Sequence, residues 1–206
     1  MYSSLPTFVL GFHGCDKADA ERILSGKDRL RPSKNEYDWL GHGSYFWENS
    51  PARALDFAKL LQKNVRPGRP AIKEPFVLGA VIDLGHCFNL TDARCLAILK
   101  RAYQEYRTIT EAAEMVMPEN KFLNRDGDFL LRYLDCAVIE SMHTFHESRS
   151  GSRPYDSVRG VFPEGKPVFQ DGGIRDKDHI QICVRNPNCI KGYFRVLDPV
   201  PGHPIP

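Results

Sequence analysis

The sequence predicts a single α+β domain, and three observations lead to this fold class. Two runs rich in β-branched and aromatic residues, Thr7 to Phe12 and Phe76 to Leu84, are typical of strands. Helical patterns are concentrated in the first two thirds of the chain, whereas strand patterns occur at both ends. Helices and strands do not alternate regularly, which argues against a parallel, doubly wound sheet.

The first strand is predicted to end at His13-Gly14-Cys15. Asp16 suits the N-cap of a helix from Lys17 to Leu24. A polar segment, Lys27 to Trp39, then leads to the glycine-rich turn Leu40-Gly41-His42-Gly43 and a short aromatic strand that ends at Glu48. The glycine-rich turn therefore leads directly into the aromatic strand.

A second helix is predicted after this strand. Ser50 suits its N-cap and Pro51 its first position, and the pattern continues to about Asn64. The strand from Phe76 to Leu84 follows, and its nearly continuous apolar character indicates burial on both faces.

The remaining elements are predicted from weaker patterns. Thr91-Asp92 caps a helix to Tyr106, a further helix lies near Glu111 to Val116, and a short helix follows Asp126-Gly127-Asp128 and ends near Leu134. Cys136 to Met142 is predicted as a strand, and His143 to Tyr155 as an exposed loop. The late strands are Ser157 to Phe162, His179 to Val184 and Ile190 to Val196. We place the domain at residues 1–198 and interpret Pro199 to Pro206 as a proline-rich tail without regular structure.

Composition limits the possible classes of function. The 206 residues suit one domain, and a net charge of +2 does not by itself indicate nucleic acid or membrane. The N-terminus lacks the pattern of a secretory signal, and no apolar stretch is long enough to cross a bilayer, so we expect a cytoplasmic protein without a membrane partner. The six cysteines include no Cys-x-x-Cys pair, which argues against a zinc site and against a disulfide framework.

Three chemical interpretations have little support. The glycine-rich turn has Phe46 where a dinucleotide fingerprint needs its third glycine. His13, His42 and His179 include no pair at metal-binding spacing, so no metal site is expected. Cys15 precedes a helix start, where a thiolate is favoured, but no oxyanion-hole pattern accompanies it and a buried cysteine is the alternative.

Three separated segments together carry a more specific pattern. His13-Gly14 closes the first strand, Gly43-Ser44-Tyr45-Phe46 begins the aromatic strand, and Gln181 lies within a late strand. In these segments the sequence resembles the ADP-ribosyltransferase superfamily, in the diphtheria-toxin-like branch with a His, Tyr, Glu triad. Phe57 resembles the second aromatic residue of that family, and Gln181 falls where the family has its catalytic glutamate. The middle of the chain is not matched.

The resemblance implies a split antiparallel β-sheet core flanked by helices and NAD as the substrate. It implies that His13 binds the adenosine ribose, that the backbone of Gly14 holds the nicotinamide amide, and that Tyr45 and Phe57 supply aromatic faces. Gly43 and Ser44 would belong to the same cofactor-binding segment. The activity implied is an NAD-dependent mono-ADP-ribosyltransferase.

Gln181 departs from the family pattern. A carboxamide accepts the ribose hydroxyl as a carboxylate does, but it does not stabilise developing positive charge. In the family, such a replacement accompanies transfer of single ADP-ribose units and sometimes loss of activity. Glu164 and Glu48 are the candidate compensating acids, and a plain surface carboxylate is the alternative for each.

The acceptor is indicated only by charge. Arg149, Arg153 and Arg159, with His146, make the segment before the last strands basic, which suits phosphates, and a solvated loop explains the pattern equally well. The resemblance implies a macromolecular acceptor, and we predict nucleic acid, possibly RNA, over protein. A stand-alone domain of this kind is typical of a toxin or phage-defence effector, which implies an antitoxin partner. A catalytically inactive module that binds NAD or ADP-ribose is the alternative, and a domain whose aromatic residues are all core is the third.

Overall fold

The computed structural model describes residues 8–65, 70–123, 128–199 and 201–202. Some residues of the predicted elements lie outside these ranges: Thr7, Asp126-Gly127, Val200 and His203 to Pro206. The helices are α1 (Lys17–Leu24), α2 (Pro51–Lys63), α3 (Ala93–Ala112) and α4 (Tyr133–Glu147). The strands are β1 (Phe8–Asp16), β2 (Ser44–Glu48), β3 (Pro75–Asp83), β4 (Cys87–Asn89), β5 (Lys121–Leu123), β6 (Phe129–Leu131), β7 (Ser157–Phe162), β8 (His179–Val184) and β9 (Ile190–Arg195).

Seven strands form one large sheet in the order β4-β7-β8-β2-β1-β3-β9. Its neighbouring strands are antiparallel except for β4 and β7, which are parallel. β5 and β6 form a separate hairpin. The structure confirms the α+β class, and the more specific ADP-ribosyltransferase-like core remains a prediction.

The pairing of β1 and β2 is short. β1 pairs with β3 along its whole length, but with β2 only at Gly11 with Glu48 and at Phe12 with Trp47. β2 continues instead along β8. The strands β1 and β2 therefore share ladder pairs at one end only.

Helices pack on both faces of the sheet. On the face that carries α3 and α4, Phe88, Val158 and Cys183 pack with Ile139 and Met142 of α4. α2 packs on the same face, where its Ala54 contacts Phe12 and Trp47. On the other face, α1 packs against Leu78. We call the face that carries α2, α3 and α4 the three-helix face.

Local sequence signals explain several helix starts. The Asp16 carboxylate accepts a hydrogen bond from the Ala18 backbone N–H at 2.9 Å, and Asp92 accepts one from Arg94 N–H at 2.8 Å. Both are N-cap bonds, as the sequence predicted. Pro51 is the first residue of α2, although Ser50 at the cap position makes no side-chain cap bond. No helix in the described ranges combines the length and apolarity needed to cross a bilayer.

Four predicted elements are wrong. Cys136 to Met142, predicted as a strand, lies within α4, because a short apolar run does not distinguish a strand from a buried helix. His143 to Glu147 was assigned to a loop but forms the end of this helix. Residues Glu111 and Ala112 belong to α3 rather than to a separate helix, and the segment after Asp128 begins with β6 instead of a helix.

Candidate functional site

The three strands that carry the sequence motifs are neighbours in the sheet, in the order β8-β2-β1. In the β2–β8 ladder, Tyr45 lies opposite Cys183 and Trp47 lies opposite Gln181. Residues opposite one another in a ladder project to the same side of the sheet. Tyr45, Trp47 and Gln181 are therefore on one face, the three-helix face.

His13 is positioned differently. Phe12 and Gly14 are on the three-helix face, so strand alternation directs His13 to the other face, where its ring lies 6.0 Å from the ring of Phe46. Nδ1 lies 2.8 Å from the backbone oxygen of Tyr45. The structure thus brings the His13 imidazole to the backbone carbonyl of Tyr45, and the His13 and Tyr45 side chains are on opposite faces of the sheet.

The hydrogen bond of His13 determines which tautomer its ring adopts. A carbonyl oxygen only accepts, so Nδ1 carries the hydrogen. Burial lowers the pKa of His13, and the bond to Tyr45 opposes this effect to a lesser extent. The ring is therefore neutral near pH 7, and Nε2 is an acceptor that suits a hydroxyl group.

The Tyr45 hydroxyl belongs to the glycine-rich turn. It donates to the Gly41 carbonyl at 2.6 Å and accepts from the Leu40 N–H at 2.8 Å. Burial raises the pKa of the Tyr45 phenol well above its ordinary value. Gly41 has a φ of +76°, a conformation that favours glycine. Tyr45 therefore closes the turn through its hydroxyl.

Close packing explains the other residues of the predicted cofactor-binding segment. A side chain at Gly14 would collide with the Ala54 carbonyl of α2, and one at Gly43 would collide with Cys183 and the Val184 carbonyl. Ser44 is buried opposite Val184. These contacts give each residue a structural reason, and a role in binding NAD remains a prediction.

Gln181 lies beside a group of aromatic side chains. Between ring centroids, Trp47 lies 5.0 Å from Phe57 and 6.3 Å from His179. Phe162 lies 5.8 Å from His179 by the same measure. Trp39 completes the group, at 4.9 Å from Phe162. We call Trp39, Trp47, Phe57, Phe162 and His179 the aromatic cluster.

The Gln181 side chain is partly exposed on this face, although Leu40, Leu90 and Phe162 fill the space beside Gly160. Its neighbour on β7 is Gly160, which has no side chain, and its neighbour on β2 is Trp47. Gln181 is half-buried and makes no side-chain hydrogen bond to another residue of the described ranges. The carboxamide is therefore available to a ligand.

Charged side chains surround the aromatic cluster. Arg53 Nη2 lies 3.0 Å from Glu164 Oε2, and the same oxygen lies 3.7 Å from His179 Nδ1. The Arg132 guanidinium lies over the Trp39 ring at 4.2 Å. Glu164, a predicted compensating acid, therefore reaches this region, but its charge is balanced by Arg53.

His179 is a buried neutral imidazole. Its side chain is 1% exposed, and Nδ1 donates to the Lys177 carbonyl at 2.7 Å. Burial lowers the pKa of His179, and the contacts with Lys177 and Glu164 oppose this effect to a lesser extent. Nε2 is consequently an unprotonated acceptor.

Four buried polar atoms around the aromatic cluster have no hydrogen-bond partner in the described part of the chain. They are His179 Nε2, Trp47 Nε1, Arg53 Nε and Arg132 Nε. A buried polar atom left unpaired costs about 1 to 3 kcal/mol, so native proteins pair most of them with protein, water or ligand. The arrangement combines ring faces with unused donors and one acceptor, which suits a flat, polar ligand.

Most residues of this cluster belong to no motif of the sequence. Alternation within strands was the available signal, because Trp47 lies two residues after Tyr45 and His179 two residues before Gln181. Arg53, Trp39 and Arg132 come from a helix, a loop and the start of another helix, and no local pattern links them.

Glu48 and Arg159 form a partly buried ion pair away from the cluster. Arg159 Nε lies 2.6 Å from Glu48 Oε2, and Nη2 lies 2.9 Å from Oε1. The hydrogen bond to Glu48 raises the pKa of Arg159. Glu48 lies opposite Gly11, on the face away from Gln181, so it is not placed to compensate for Gln181.

The predicted acceptor-binding arginines do not form one patch. Arg159 is in β7, as predicted, and is paired with Glu48, and its role in acceptor binding remains a prediction. Arg153 is exposed and pairs with Asp156 at 2.8 Å, and Arg149 is exposed just after α4.

The structure also describes Cys15 and the histidines considered as metal ligands. Burial, together with Asp19 and Asp16, raises the pKa of Cys15 to about 12, the opposite of an activated thiol. His42 lies beside Glu140, apart from His13 and His179. Across the described ranges, no group of three or more His, Cys, Asp or Glu side chains is placed to bind a metal ion.

Fold and site together define an α+β protein whose large sheet carries an aromatic, partly charged site beside β8. The chain is 25% identical over 197 residues to an uncharacterised protein of Methanocaldococcus jannaschii, and the match covers 87% of this chain and 83% of that protein. No protein-family model matches the sequence. No solved structure matches it either.

Proposed function

We propose that this protein is an NAD-dependent mono-ADP-ribosyltransferase whose nicotinamide-binding region is the aromatic cluster beside Gln181. The observation that carries the proposal is the adjacency of β8, β2 and β1. Three segments far apart in the sequence, each carrying one part of the family pattern, lie next to one another in the sheet. Local sequence does not require this neighbourhood.

The cluster supplies the groups that a nicotinamide needs. Phe57 is 37% exposed and offers a ring face, with the buried Trp47 behind it. The N–H groups of Trp47 and Arg53 are unpaired but buried, so they would donate to a carboxamide or hydroxyl oxygen of the ligand once neighbouring side chains shift. Gln181 accepts a ribose hydroxyl through its amide oxygen.

The reaction proposed is a displacement at the anomeric carbon of the ribose. The bond from this carbon to the nicotinamide nitrogen breaks, and its electron pair leaves with the now neutral nicotinamide. An acceptor heteroatom bonds to the same carbon and loses its proton to water. Positive charge develops on the sugar, and Glu164, balanced by Arg53, is a carboxylate that contacts the cluster at His179.

The experiment follows nicotinamide release from NAD and the transfer of labelled ADP-ribose to RNA, DNA or protein in a lysate. We expect release by the unmodified protein and at least a tenfold loss in the Gln181→Ala variant, on the scale of removing one donor or acceptor from a transition state. The matched control is Gln104→Ala, an exposed glutamine of α3. Folded protein that releases no nicotinamide with any acceptor fraction contradicts the proposal.

The second candidate is a module that binds NAD or ADP-ribose without turnover. Two observations favour it: Gln181 is an amide, and the carboxylate of Glu164 is neutralised by Arg53. Calorimetry would then detect binding without nicotinamide release. Turnover created by Gln181→Glu in an otherwise inactive protein would support this candidate over the first.

The biological role of the protein is also part of this proposal. A macromolecular acceptor, with nucleic acid favoured, and a toxin or defence role with an antitoxin partner are predictions of the resemblance. Expression in a bacterial host, with and without the Gln181→Ala change, tests toxicity directly.

A further inference from the structure

Two adjoining grooves lie at the end of β2 and β8 away from the aromatic cluster. Their volumes are about 570 Å³ and about 630 Å³. Pro32 and Arg185 line both of them, so the two grooves share a wall. Each one alone has the size of a small-molecule pocket, and the pair suits a longer ligand.

The segment between α1 and β2 brings positive charge to these grooves. Arg29 and Arg31 line one groove and Lys34 lines the other. All three side chains are exposed, and none has an ion pair with another residue of the described ranges. Their charge is therefore available to a ligand.

Most of the acids along the grooves are already paired. Asp28 lies 2.6 Å from Arg22, and Asp156 lies 2.8 Å from Arg153. Glu147 is exposed and also lines the first groove. The available charge on the groove walls is consequently positive.

Two partly exposed ring side chains lie near these cations. His42 lines the first groove and Tyr193 lines the second, whereas Tyr155 of the first groove is buried against other rings. Nε2 of His42 is buried and has no hydrogen-bond partner within the described ranges. A cationic groove with ring side chains is the combination by which proteins bind single-stranded nucleic acid, because cations follow the backbone and bases stack on rings.

We infer that the two grooves bind a single strand of nucleic acid. The further assignment, that this strand is the ADP-ribose acceptor, rests on the proposed function. Ser44 lines the second groove and lies three residues before Trp47 on β2, a separation of about 10 Å at strand spacing. The Ser44 and Trp47 side chains are on opposite faces of β2, so a strand bound in the second groove would reach the aromatic cluster by passing around the end of β2 and β8.

The test measures binding of fluorescein-labelled oligouridine, roughly 15 nucleotides long, by fluorescence anisotropy at two salt concentrations and without NAD. Three phosphate contacts predict an affinity loss of about 20-fold between about 50 mM and 200 mM salt. The variant R29E/R31E/K34E should lose this salt-dependent part. The matched control K59E/K100E/R101E reverses three exposed cations on α2 and α3.

The outcomes separate this inference from the proposed function. Absence of binding at low salt, or an equal loss in the control variant, overturns the groove assignment. Polyglutamate and unlabelled oligouridine are then compared as competitors at equal charge concentration. If polyglutamate competes as well as oligouridine, the groove assignment is overturned, because the grooves would bind any polyanion. Nicotinamide release is measured separately, so oligonucleotide binding by a protein without turnover contradicts only the proposed activity.

Discussion

The Tyr45→Phe change tests whether the Tyr45 hydroxyl stabilises the glycine-rich turn. It removes one oxygen that makes two hydrogen bonds, one to Leu40 N–H and one to the Gly41 carbonyl. Leu40 is fully buried, so water does not readily replace the lost partner. One unpaired backbone group costs about 1 to 3 kcal/mol, and we expect about 3 kcal/mol for the pair.

Urea denaturation provides the measurement, with thermal unfolding as a second readout. For a chain of this length, a loss of about 3 kcal/mol lowers Tm by about 6 to 12 °C. Tyr106→Phe is the matched control, because this half-buried tyrosine of α3 makes no side-chain hydrogen bond within the described ranges. If Tyr45→Phe is no less stable than Tyr106→Phe, the Tyr45 hydroxyl does not stabilise the turn.

Three further changes test the packing and charge of the fold. Glu48→Gln leaves the partly buried Arg159 without its anion and should cost about 2 to 3 kcal/mol in urea unfolding, whereas replacing both residues by Met should recover most of the loss. His143 is 2% exposed with neither ring nitrogen hydrogen-bonded, and burial lowers its pKa to about 3. The pKa of His143 is lower in the folded state than in the unfolded state, so its contribution to the free energy of unfolding is complete above about pH 6.5 and falls by about 2 to 3 kcal/mol by about pH 4.5. His143→Leu should flatten this part of the plot of unfolding free energy against pH. Gly14→Ala meets the Ala54 carbonyl of α2 and should cost about 2 to 3 kcal/mol, while Gly192→Ala, with open space around it, should have an effect near zero.

The Tyr45 result also bears on function. If Tyr45→Phe unfolds more easily but retains nicotinamide release in the folded fraction, the hydroxyl acts only on the turn. If release is lost while the protein is folded at low temperature, the phenol also contributes to the site. The two readouts therefore distinguish a structural role from a catalytic one.

Local sequence determined several elements of this fold. Asp16 and Asp92 cap their helices because a carboxylate two residues before a free backbone N–H is sufficient for that bond. β3 and β8 could be predicted from the sequence, because apolar and β-branched runs fit a buried pleated surface. The prediction of a strand at Cys136 to Met142 was wrong, because a buried helix produces the same short apolar run.

Only the tertiary structure decided the composition of the candidate site. The sequence marked His13, Tyr45 and Gln181, but strand order made β8, β2 and β1 neighbours, and alternation then directed the His13 side chain to the opposite face. The pairing of Arg159 with Glu48, far apart in the chain, neutralised one cation of the predicted acceptor segment. The physical reason is that ladder pairing and ion pairing act between distant residues, whereas capping and hydrophobic periodicity act between neighbours.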